Sequence, residues 1–434
     1  MSNICIIGDI LVDISLKSQE DPLKMRLGGI VHAARCLWAL GLDYSVGYFA
    51  PSYLDSHIEE YLMSRMGCGG LCKLGEVMDS PYTMLINEVK EVGDQGYEFI
   101  LRDQITIVYK EEAFKELMQY DDIFLIYGNY DFRKVITSLP MGARIHCDIA
   151  NNMVDLDNLR IGRQFETLFI STSSSFFQKQ FSKIDSFLTF FEPYTENLIL
   201  KENRGGSRAY NYNNKDLISI PAQTQKITHS VGVGDVYDVA YVALKTQMPF
   251  SDALYYSSWI ATEYAKTTFP NDFQKMVRRV LKISIEDLIS LGGCHLPWEE
   301  RPICNIYIAA PDFDFVDVRP VDILVNSLSY HNFSSHRPIQ ENGQMSSDAT
   351  FDEKQSLFMK DMYLLEKCDM LIAVLLYNDP GTLIEIGIAA ERKIPTIVYD
   401  PYKIAKNCML TQLPKLVSSD LDEIMSQVFL SFSN

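Results

Sequence analysis

The sequence lacks an excess of basic residues and any long run of apolar ones. Its 434 residues include 39 Lys and Arg against 57 Asp and Glu, which gives a formal net charge of −18. A field of that sign repels a phosphate backbone, and no local basic patch in the sequence offsets it. The longest apolar runs, such as Met370–Leu376, are far shorter than the ~20 residues of a membrane-spanning helix. We therefore expect neither a nucleic acid nor a membrane as a partner.

The sequence also lacks a cysteine framework and a recognisable leader. Its nine cysteines are odd in number and dispersed, which suits a reducing cytoplasm better than a set of disulfides. Cys68 and Cys72 flank a Gly-Gly-Leu segment, but no second Cys or His pair follows at a zinc-site spacing. The first residues, Met1–Asn3, have no basic start and lead straight into a strand-like segment. These features predict a cytoplasmic protein without a bound metal.

What the sequence does contain is an alternation of strand-like runs and amphipathic helices, over a length too great for one ordinary core. Such alternation is typical of α/β domains with mainly parallel sheets. The segment Gly292–Pro302 is rich in breakers and charge, as expected of a domain boundary, and it predicts domains at residues 1–298 and 303–434. The predicted strands span residues 4–7, 123–127, 198–200, 306–308, 370–376 and 395–399, and the predicted helices span 29–40, 236–244, 351–367 and 381–392.

A carboxylate stands inside an apolar segment of the second predicted domain. Gly381–Ala390 has helical length and is apolar almost all round, so we expect this helix to be buried rather than half-exposed. Glu385 lies within it, and an unpaired buried carboxylate costs several kcal/mol. Asp379 precedes Pro380 at a predicted strand end, where ligands gather in open α/β sheets. A structural role stays open, in which Asp379 caps the helix and Glu385 pairs with a distant arginine.

Several motifs in the last third of the chain occur in the order seen in one known family. They are Ile306–Pro311, Asp361, Cys368-Asp369, Asp379, Gly381-Thr382, Glu385–Gly387 and Asn407–Met409. In this order and spacing the segment resembles the nucleoside 2-deoxyribosyltransferase family. The resemblance implies a small flavodoxin/Rossmann-like α/β domain with a parallel sheet and no cofactor.

The resemblance also implies a role for each residue. Glu385 would attack the anomeric carbon of a nucleoside, and Asp361 would protonate or orient the departing base. Asp379 would lie beside the nucleophile, and Tyr307 would position it. Asn407 would reach the sugar from a neighbouring subunit, which makes a homo-oligomer, at least a dimer, the expected assembly. The residues fit such chemistry because converging carboxylates push their pKa values apart, which separates acid from nucleophile.

Some of these residues also suit purely structural roles. Tyr307 is equally compatible with a core residue whose hydroxyl reaches the surface, and Asp361 with a solvated charge on a helix. His331 and His336 lie in a predicted loop, where a histidine either contacts substrate or is merely exposed.

A glycine-rich turn precedes a predicted helix in the first domain. Ser230–Asp235 leads into Val236–Leu244, and such a turn presents backbone N–H groups and a positive dipole end to an anion. An aspartate at that turn can accept a hydroxyl proton while the N–H groups bind phosphoryl charge. Taken alone the turn is a weak signal, because many helices begin in this way.

Further motifs place the turn in a wider pattern. Gly8–Asp13, Gly28-Gly29 and Gly232–Asp235 with Tyr237 make the first 300 or so residues similar to the ribokinase-like (PfkB) family of carbohydrate and nucleoside kinases. The resemblance implies a three-layer α/β/α domain that uses ATP and Mg²⁺. Asp235 would be the general base. The implied anion hole is Gly232, Val233 and Gly234, and the implied sugar-binding residues are Asp13, Gly28 and Gly29.

The first domain departs from that family at several positions. His229 replaces an Asp at the start of the anion-hole motif, and His32 stands roughly where an Asn contacts sugar. The Asn-x-x-Glu element is not recognisable at Ser171–Phe176, and the nucleotide-side Thr-x-Gly-x-x-Gly reads Lys201–Gly206. A degenerate domain that binds a ligand without transferring phosphate therefore stays open.

Together the two resemblances predict a bifunctional, multidomain protein of nucleoside or nucleotide metabolism. The second domain would cleave or transfer the N-glycosidic bond of a (deoxy)nucleoside or its 5′-monophosphate, with hydrolysis expected over base exchange. The first would bind a pentose or nucleoside and phosphorylate it with ATP. The alternative is a degenerate kinase domain that serves as a sensor or scaffold for a regulated glycosidase, which depletes a nucleotide or NAD-like pool.

Overall fold

The chain forms two compact α/β units. The computed structural model describes residues 4–16, 22–100, 105–149, 156–181, 183–346 and 348–433, so Met1–Asn3, which bear on the expected absence of a leader, lie outside the described residues. One unit, called the N-terminal unit below, comprises residues 1–91 and 95–295. The other, the C-terminal unit, comprises residues 92–94 and 296–434. None of the described helices combines the length and the apolar character that crossing a membrane requires.

The N-terminal unit contains fourteen strands and nine α-helices among its described residues. The strands are β1 (Ile4–Asp9), β2 (Val12–Ser15), β3 (Lys24–Leu27), β4 (Tyr44–Ala50), β5 (Gly70–Met78), β6 (Thr83–Ile86), β7 (Tyr97–Phe99), β8 (Thr106–Tyr109), β9 (Asp122–Ile126), β10 (Arg144–Asp148), β11 (Phe165–Ser171), β12 (Thr195–Lys201), β13 (Ser207–Asn211) and β14 (Asp216–Ile220). The helices are α1 (Val31–Leu40), α2 (Asp55–Glu59), α3 (Phe132–Thr137), α4 (Ser175–Gln180), α5 (Ile184–Phe191), α6 (Val233–Leu244), α7 (Phe250–Ala265), α8 (Pro270–Val280) and α9 (Ile285–Ser290).

A ten-stranded sheet is the centre of this unit. Its order is β14-β13-β12-β11-β10-β9-β1-β4-β5-β8, and it is parallel from β12 to β5. Ile4 and Ile6 of β1 pack with α1 and α6, whereas Cys5 and Ile7 face the other side and are also buried. Burial on both faces explains why the central strands are continuous apolar runs in the sequence. A sheet covered on both faces is the middle layer of the predicted three. A second sheet has the order β3-β2-β6-β7.

The C-terminal unit is a smaller, wholly parallel α/β domain. Its strands are β15 (Asn305–Ala309), β16 (Ser334–His336), β17 (Met370–Val374), β18 (Thr396–Tyr399) and β19 (Leu416–Ser418). Its helices are α10 (Arg319–Tyr330), α11 (Pro338–Asn342), α12 (Phe351–Lys367), α13 (Pro380–Glu391), α14 (Cys408–Gln412) and α15 (Leu421–Phe432). The strand order β16-β15-β17-β18-β19 is the flavodoxin-like order, so the predicted fold class is confirmed.

The expectation that the helix after Asp379 is buried all round is wrong. In α13 only Thr382, Ile386 and Ala389 are buried, and Ile384 is 60% exposed. The helix packs on one face of the sheet, and such a helix buries a single stripe at the helical period even when its remaining residues are apolar.

Helix boundaries also differ from the sequence prediction at a glycine. Helix α1 begins at Val31 rather than at residue 29, because Gly29 has a φ of +63° and cannot continue a right-handed helix. A Cβ at this position would lie 2.1 Å from the backbone oxygen of Asp9, so only glycine fits. Helix α12, in contrast, spans the predicted residues, with Thr350 and Glu353 forming a capping box.

Candidate active sites

In the C-terminal unit, β15 and α13 bring a phenol and a carboxylate together. Tyr307 lies in the middle of β15, and its side chain is fully buried among the core residues of this unit. Glu385 lies one and a half turns into α13, and Tyr307 donates its hydroxyl proton to Glu385 Oε1 at 2.6 Å. The hydrogen bond fixes one carboxylate oxygen and leaves Oε2 as the group available for chemistry.

The electrostatic surroundings of Glu385 hold its proton near neutral pH. The pKa of Glu385 is raised from 4.5 to about 7, chiefly by burial; the bond from Tyr307 opposes the rise, and the charges of Asp361 and Asp379 contribute to it. The same arrangement raises the pKa of Tyr307, through burial and the nearby Glu385 charge. The structure therefore brings four sequence-predicted residues to one place, and three of them are carboxylates.

Asp379 acts as the N-cap of α13. Its Oδ2 accepts hydrogen bonds from the Thr382 backbone N–H at 2.7 Å and from the Thr382 hydroxyl at 3.0 Å. Asp379 therefore has the capping role that the sequence left open, and it uses Oδ2 for it. Among the described residues, no donor bonds Oδ1. Asp379 therefore stabilises the first turn of α13, and its charge also contributes to the raised pKa of Glu385.

Asp361 is held by a residue that the sequence did not single out. Asn342, at the end of α11, donates from Nδ2 to Asp361 Oδ1 at 2.8 Å. Burial raises the pKa of Asp361, and the bond from Asn342 opposes that rise. Asp361 is half-buried and is therefore more than a solvated surface charge. No sequence signal could have found Asn342, because only the packing of α11 on α12 makes the two side chains neighbours.

The other predicted residues of this unit are not joined to the Glu385 group within one chain. Asn407 is exposed and caps α14, with Oδ1 accepting from the Met409 backbone N–H at 2.8 Å. His331 is fully buried, and His336 hydrogen-bonds Glu341 at 2.9 Å, so neither histidine is a simple exposed loop residue.

In the N-terminal unit, a left-handed glycine opens α6. Gly232 has a φ of +76°, and a Cβ there would lie 2.2 Å from His32 Cγ, so the imidazole packs directly on this glycine. Val233 and Gly234 form the first residues of α6, where backbone N–H groups have no partner within the helix, but the Val233 N–H donates to the Ser230 carbonyl oxygen at 3.2 Å. The turn therefore has a left-handed glycine at a helix start, and its role as an anion hole stays a prediction.

Asp235 stands in the first turn of α6. The pKa of Asp235 is raised from 3.8 to about 7, chiefly by burial; the Asp148 charge contributes to the rise and the Lys201 charge opposes it. The Asp13 charge acts in the same direction as that of Asp148. A carboxylate that titrates near neutral pH is suited to accept a hydroxyl proton.

The predicted sugar-binding residues Asp13 and Gly28 lie in contact, but the Asp13 carboxylate already interacts with two other side chains. A Cβ on Gly28 would lie 2.2 Å from the Asp13 carboxylate, so this glycine gives the carboxylate its space. Asp13 Oδ2 lies 3.2 Å from His32 Nε2 and 3.9 Å from Arg26 Nε. Burial lowers the pKa of His32 to about 4, so a neutral ring donates to Asp13 and accepts from the Tyr264 hydroxyl at 2.6 Å.

The departures from the family pattern have structural consequences. His229 is buried, its Nε2 lies 3.0 Å from the Thr267 carbonyl oxygen, and burial lowers its pKa to about 4, so no charge stands where the family has an Asp. Asn203, at the first glycine position of the nucleotide-side motif, has a φ of +54° and so keeps the left-handed conformation.

A cation lies beside the anion-hole turn. Lys201 Nζ bonds Asp148 Oδ2 at 3.0 Å and Asp238 Oδ2 at 2.5 Å. Asp148 ends β10, and an acid at the carboxyl end of a parallel strand is a signal that could have found it. These two carboxylates do not fit a protein-held Mg²⁺, because the ammonium lies between them. In the described part of the chain, no three or more His, Cys, Asp or Glu side chains are grouped to hold a metal ion.

Comparison with known proteins gives a family match for the C-terminal unit. Residues 306–415 match the model of the nucleoside 2-deoxyribosyltransferase family, which confirms the resemblance seen in the sequence for this part of the chain. The search of curated proteins found no match for the chain.

Solved structures similar to the N-terminal part include ribokinases and a phosphofructokinase. An Escherichia coli putative ribokinase II in complex with ATP and Mg²⁺ is 15% identical, with 67% of this chain and 100% of that chain covered and a TM-score of 0.49. An Arabidopsis thaliana ribokinase complexed with ribose and ATP is 15% identical, with coverage of 65% and 100% and a TM-score of 0.47. The phosphofructokinase-2 of Escherichia coli in complex with potassium is 12% identical, with coverage of 65% and 100% and a TM-score of 0.48. At these identities and TM-scores the likenesses establish no activity for this chain.

Proposed function

We propose that the C-terminal unit breaks the N-glycosidic bond of a nucleoside or its 5′-monophosphate through Glu385. The observation that carries the proposal is the hydrogen bond of 2.6 Å between Tyr307 and a Glu385 carboxylate whose pKa burial raises to about 7. The match of residues 306–415 to the deoxyribosyltransferase family supports the same chemistry. Placing a half-buried carboxyl beside two further carboxylates costs free energy, and such arrangements are typical of catalytic sites.

The proposed reaction has two steps. Glu385 Oε2 attacks the anomeric carbon as the bond from that carbon to the base nitrogen breaks, and Asp361 gives its proton to the departing base. The product is a glycosyl ester of Glu385 and free base. Water, or the nitrogen of an incoming base, then attacks the same carbon, restores the carboxylate and returns a proton to Asp361.

The geometry suits this division of roles. Tyr307 holds Oε1 and thereby orients Oε2, while Asn342 holds Asp361 Oδ1 and orients its second oxygen. Burial raises the pKa of Asp361 as well, which favours the protonated form that an acid needs. Asn407, exposed on its own chain, is available to a neighbouring copy, and we propose an assembly of at least two subunits on this basis.

The test is incubation of the full chain with nucleosides, their monophosphates and NAD, followed by chromatography of free bases. We expect free base from at least one class of substrate. A second arm adds a different purine or pyrimidine base, because a new nucleoside would indicate transfer, whereas free sugar alone would indicate the hydrolysis that we expect. Intact substrates throughout would refute the proposed function of this unit.

For the N-terminal unit we propose binding of a pentose or nucleoside and its phosphorylation by ATP. Asp235 would accept the proton of the attacking hydroxyl, because burial raises its pKa to about 7. The N–H group of Gly234, together with that of Val233 once it leaves the Ser230 carbonyl oxygen, would hold the charge that develops on the transferred phosphoryl group. ATP supplies the phosphoryl group and leaves as ADP.

One observation favours a second candidate function for this unit. The Asp13 carboxylate already interacts with His32 at 3.2 Å and Arg26 at 3.9 Å, so a sugar hydroxyl must compete for it. A unit of this kind could bind a ligand as a sensor for the C-terminal glycosidase. ATP consumption with ribose, deoxyribose and nucleosides, compared between wild type and Asp235→Asn, separates the candidates. ATP consumption by wild type that Asp235→Asn abolishes supports the kinase function. Equal background consumption by both proteins supports the sensor function instead.

A further inference from the structure

The ammonium group of Lys201 is confined by two carboxylates, one at the end of strand β10 and one on helix α6. Lys201 is the last residue of β12, and its side chain is 13% exposed. Its partners are deeper still, since Asp148 is 3% and Asp238 is 0% exposed at the side chain. Burial disfavours the lysine charge, but Asp148 and Asp238 outweigh burial and raise the pKa of Lys201. The group is therefore a fixed cation at physiological pH.

The ammonium group faces the start of α6 and has a donor to spare. A lysine ammonium has three N–H donors, and two of those of Lys201 bond Asp148 and Asp238. No third acceptor for Lys201 occurs among the described residues. A Cβ built on Gly234 would lie 3.2 Å from Nζ, so the cation lies against the bare face of that glycine in the anion-hole turn. Its charge also reaches Asp235 and lowers the pKa of that group.

We propose that Lys201 binds the phosphate group that occupies the anion hole and supplies positive charge there. The inference rests on the N-terminal half of the proposed function. The recognised chemistry is a phosphate group at the start of α6, whether it belongs to ATP or to free phosphate. The lysine suits this role because Asp148 and Asp238 hold it in place before the ligand arrives.

This role predicts opposite effects for the lysine and for one of its partners. Removal of the ammonium takes away a charge-assisted hydrogen bond to phosphate, so Lys201→Met should weaken binding by about tenfold to a hundredfold. Asp238→Asn keeps a side-chain oxygen that accepts from the Lys201 ammonium but removes a negative charge beside it, so it should leave phosphate binding as tight or make it tighter. A salt bridge with a purely structural role predicts instead that both substitutions weaken binding, because both remove the ion pair.

The experiment is calorimetric titration of the full chain with ATP and, separately, with inorganic phosphate, in EDTA and again in Mg²⁺. The proteins are wild type, Lys201→Met and Asp238→Asn. The double variant Lys201→Met with Asp238→Asn removes one buried charge of each sign and tests the loss of the lysine if Lys201→Met does not fold. We expect wild type to bind ATP in EDTA, both proteins without Lys201 to bind it about tenfold to a hundredfold more weakly, and Asp238→Asn to bind it at least as tightly as wild type.

Three other outcomes contradict the proposal, and a fourth supports it with a different ligand. ATP binding in EDTA that Lys201→Met retains at wild-type strength overturns the role of Lys201 and leaves the kinase function standing. The same conclusion follows if wild type binds ATP only with Mg²⁺. Binding of neither ATP nor phosphate by wild type, with or without Mg²⁺, overturns the inference together with the N-terminal function on which it rests. Binding of phosphate but not ATP, lost in Lys201→Met, supports the lysine role with a free phosphate as the ligand.

Discussion

Replacing Glu385 with glutamine should make the protein more stable, and increasingly so as the pH rises. Burial raises the pKa of Glu385 from 4.5 to about 7, so the folded state disfavours its charged form. A group with a raised folded pKa contributes stability that is complete below the unfolded pKa and is lost as the pH rises through the folded value. At ~1.4 kcal/mol per pKa unit, the loss is about 3 kcal/mol by pH 8 and about 1 kcal/mol at pH 5.

Glutamine keeps the shape and still accepts the Tyr307 hydrogen bond, but it has no charge to bury. The free energy of unfolding of Glu385→Gln should therefore exceed that of wild type by about 2 kcal/mol more at pH 8 than at pH 5. Urea denaturation of the full chain at both pH values measures the difference. Glu391→Gln, an exposed change on the same helix, serves as the control and should show no such dependence. A difference between wild type and Glu385→Gln that does not change with pH would refute the reasoning.

Three further predictions follow from single contacts. Tyr307→Phe removes the bond that lowers the pKa of Glu385, so the acid limb of the pH dependence of base release should move to higher pH and kcat should fall by about tenfold or more; a superimposable pH profile would contradict this. Gly232→Ala places a methyl group against the His32 ring at a φ of +76°, so the free energy of unfolding of the N-terminal unit should fall by at least about 1–2 kcal/mol, and unchanged denaturation would show that the turn tolerates a side chain. Mixing Glu385→Ala with Asn407→Ala should restore base release that each lacks alone if subunits share a site, whereas an inactive mixture with confirmed exchange of subunits would contradict that sharing.

The sequence predicted local features well where one segment determined them. Helix α12 has the bounds that the sequence predicts. The capping box of Thr350 and Glu353 is a local signal that marks its first turn. Three of the five parallel strands of the C-terminal unit, β15, β17 and β18, are also predicted, because they are short apolar runs, whereas the three-residue strands β16 and β19 are missed. The one-sided burial of α13 was missed, since its composition does not reveal which neighbours cover it.

Contacts between distant residues could not be derived from the sequence. The Tyr307–Glu385 bond joins positions 78 residues apart, and only the family resemblance suggested it beforehand. In the sequence, Lys201 is recognisable only as a departure from a motif. Its position between Asp148 and Asp238 follows from the arrangement of β10, β12 and α6 in space. Asn342 contributes to the Asp361 environment without any signal in spacing or composition.

The central claim is that the carboxylate of Glu385 breaks the sugar–base bond. The most direct measurement is the rate of free-base release by wild type, Glu385→Ala and the matched control Glu391→Ala, with circular dichroism and denaturation to confirm that all three are folded. We predict release by wild type and Glu391→Ala at similar rates and none by Glu385→Ala. Release by folded Glu385→Ala at the wild-type rate would contradict the account.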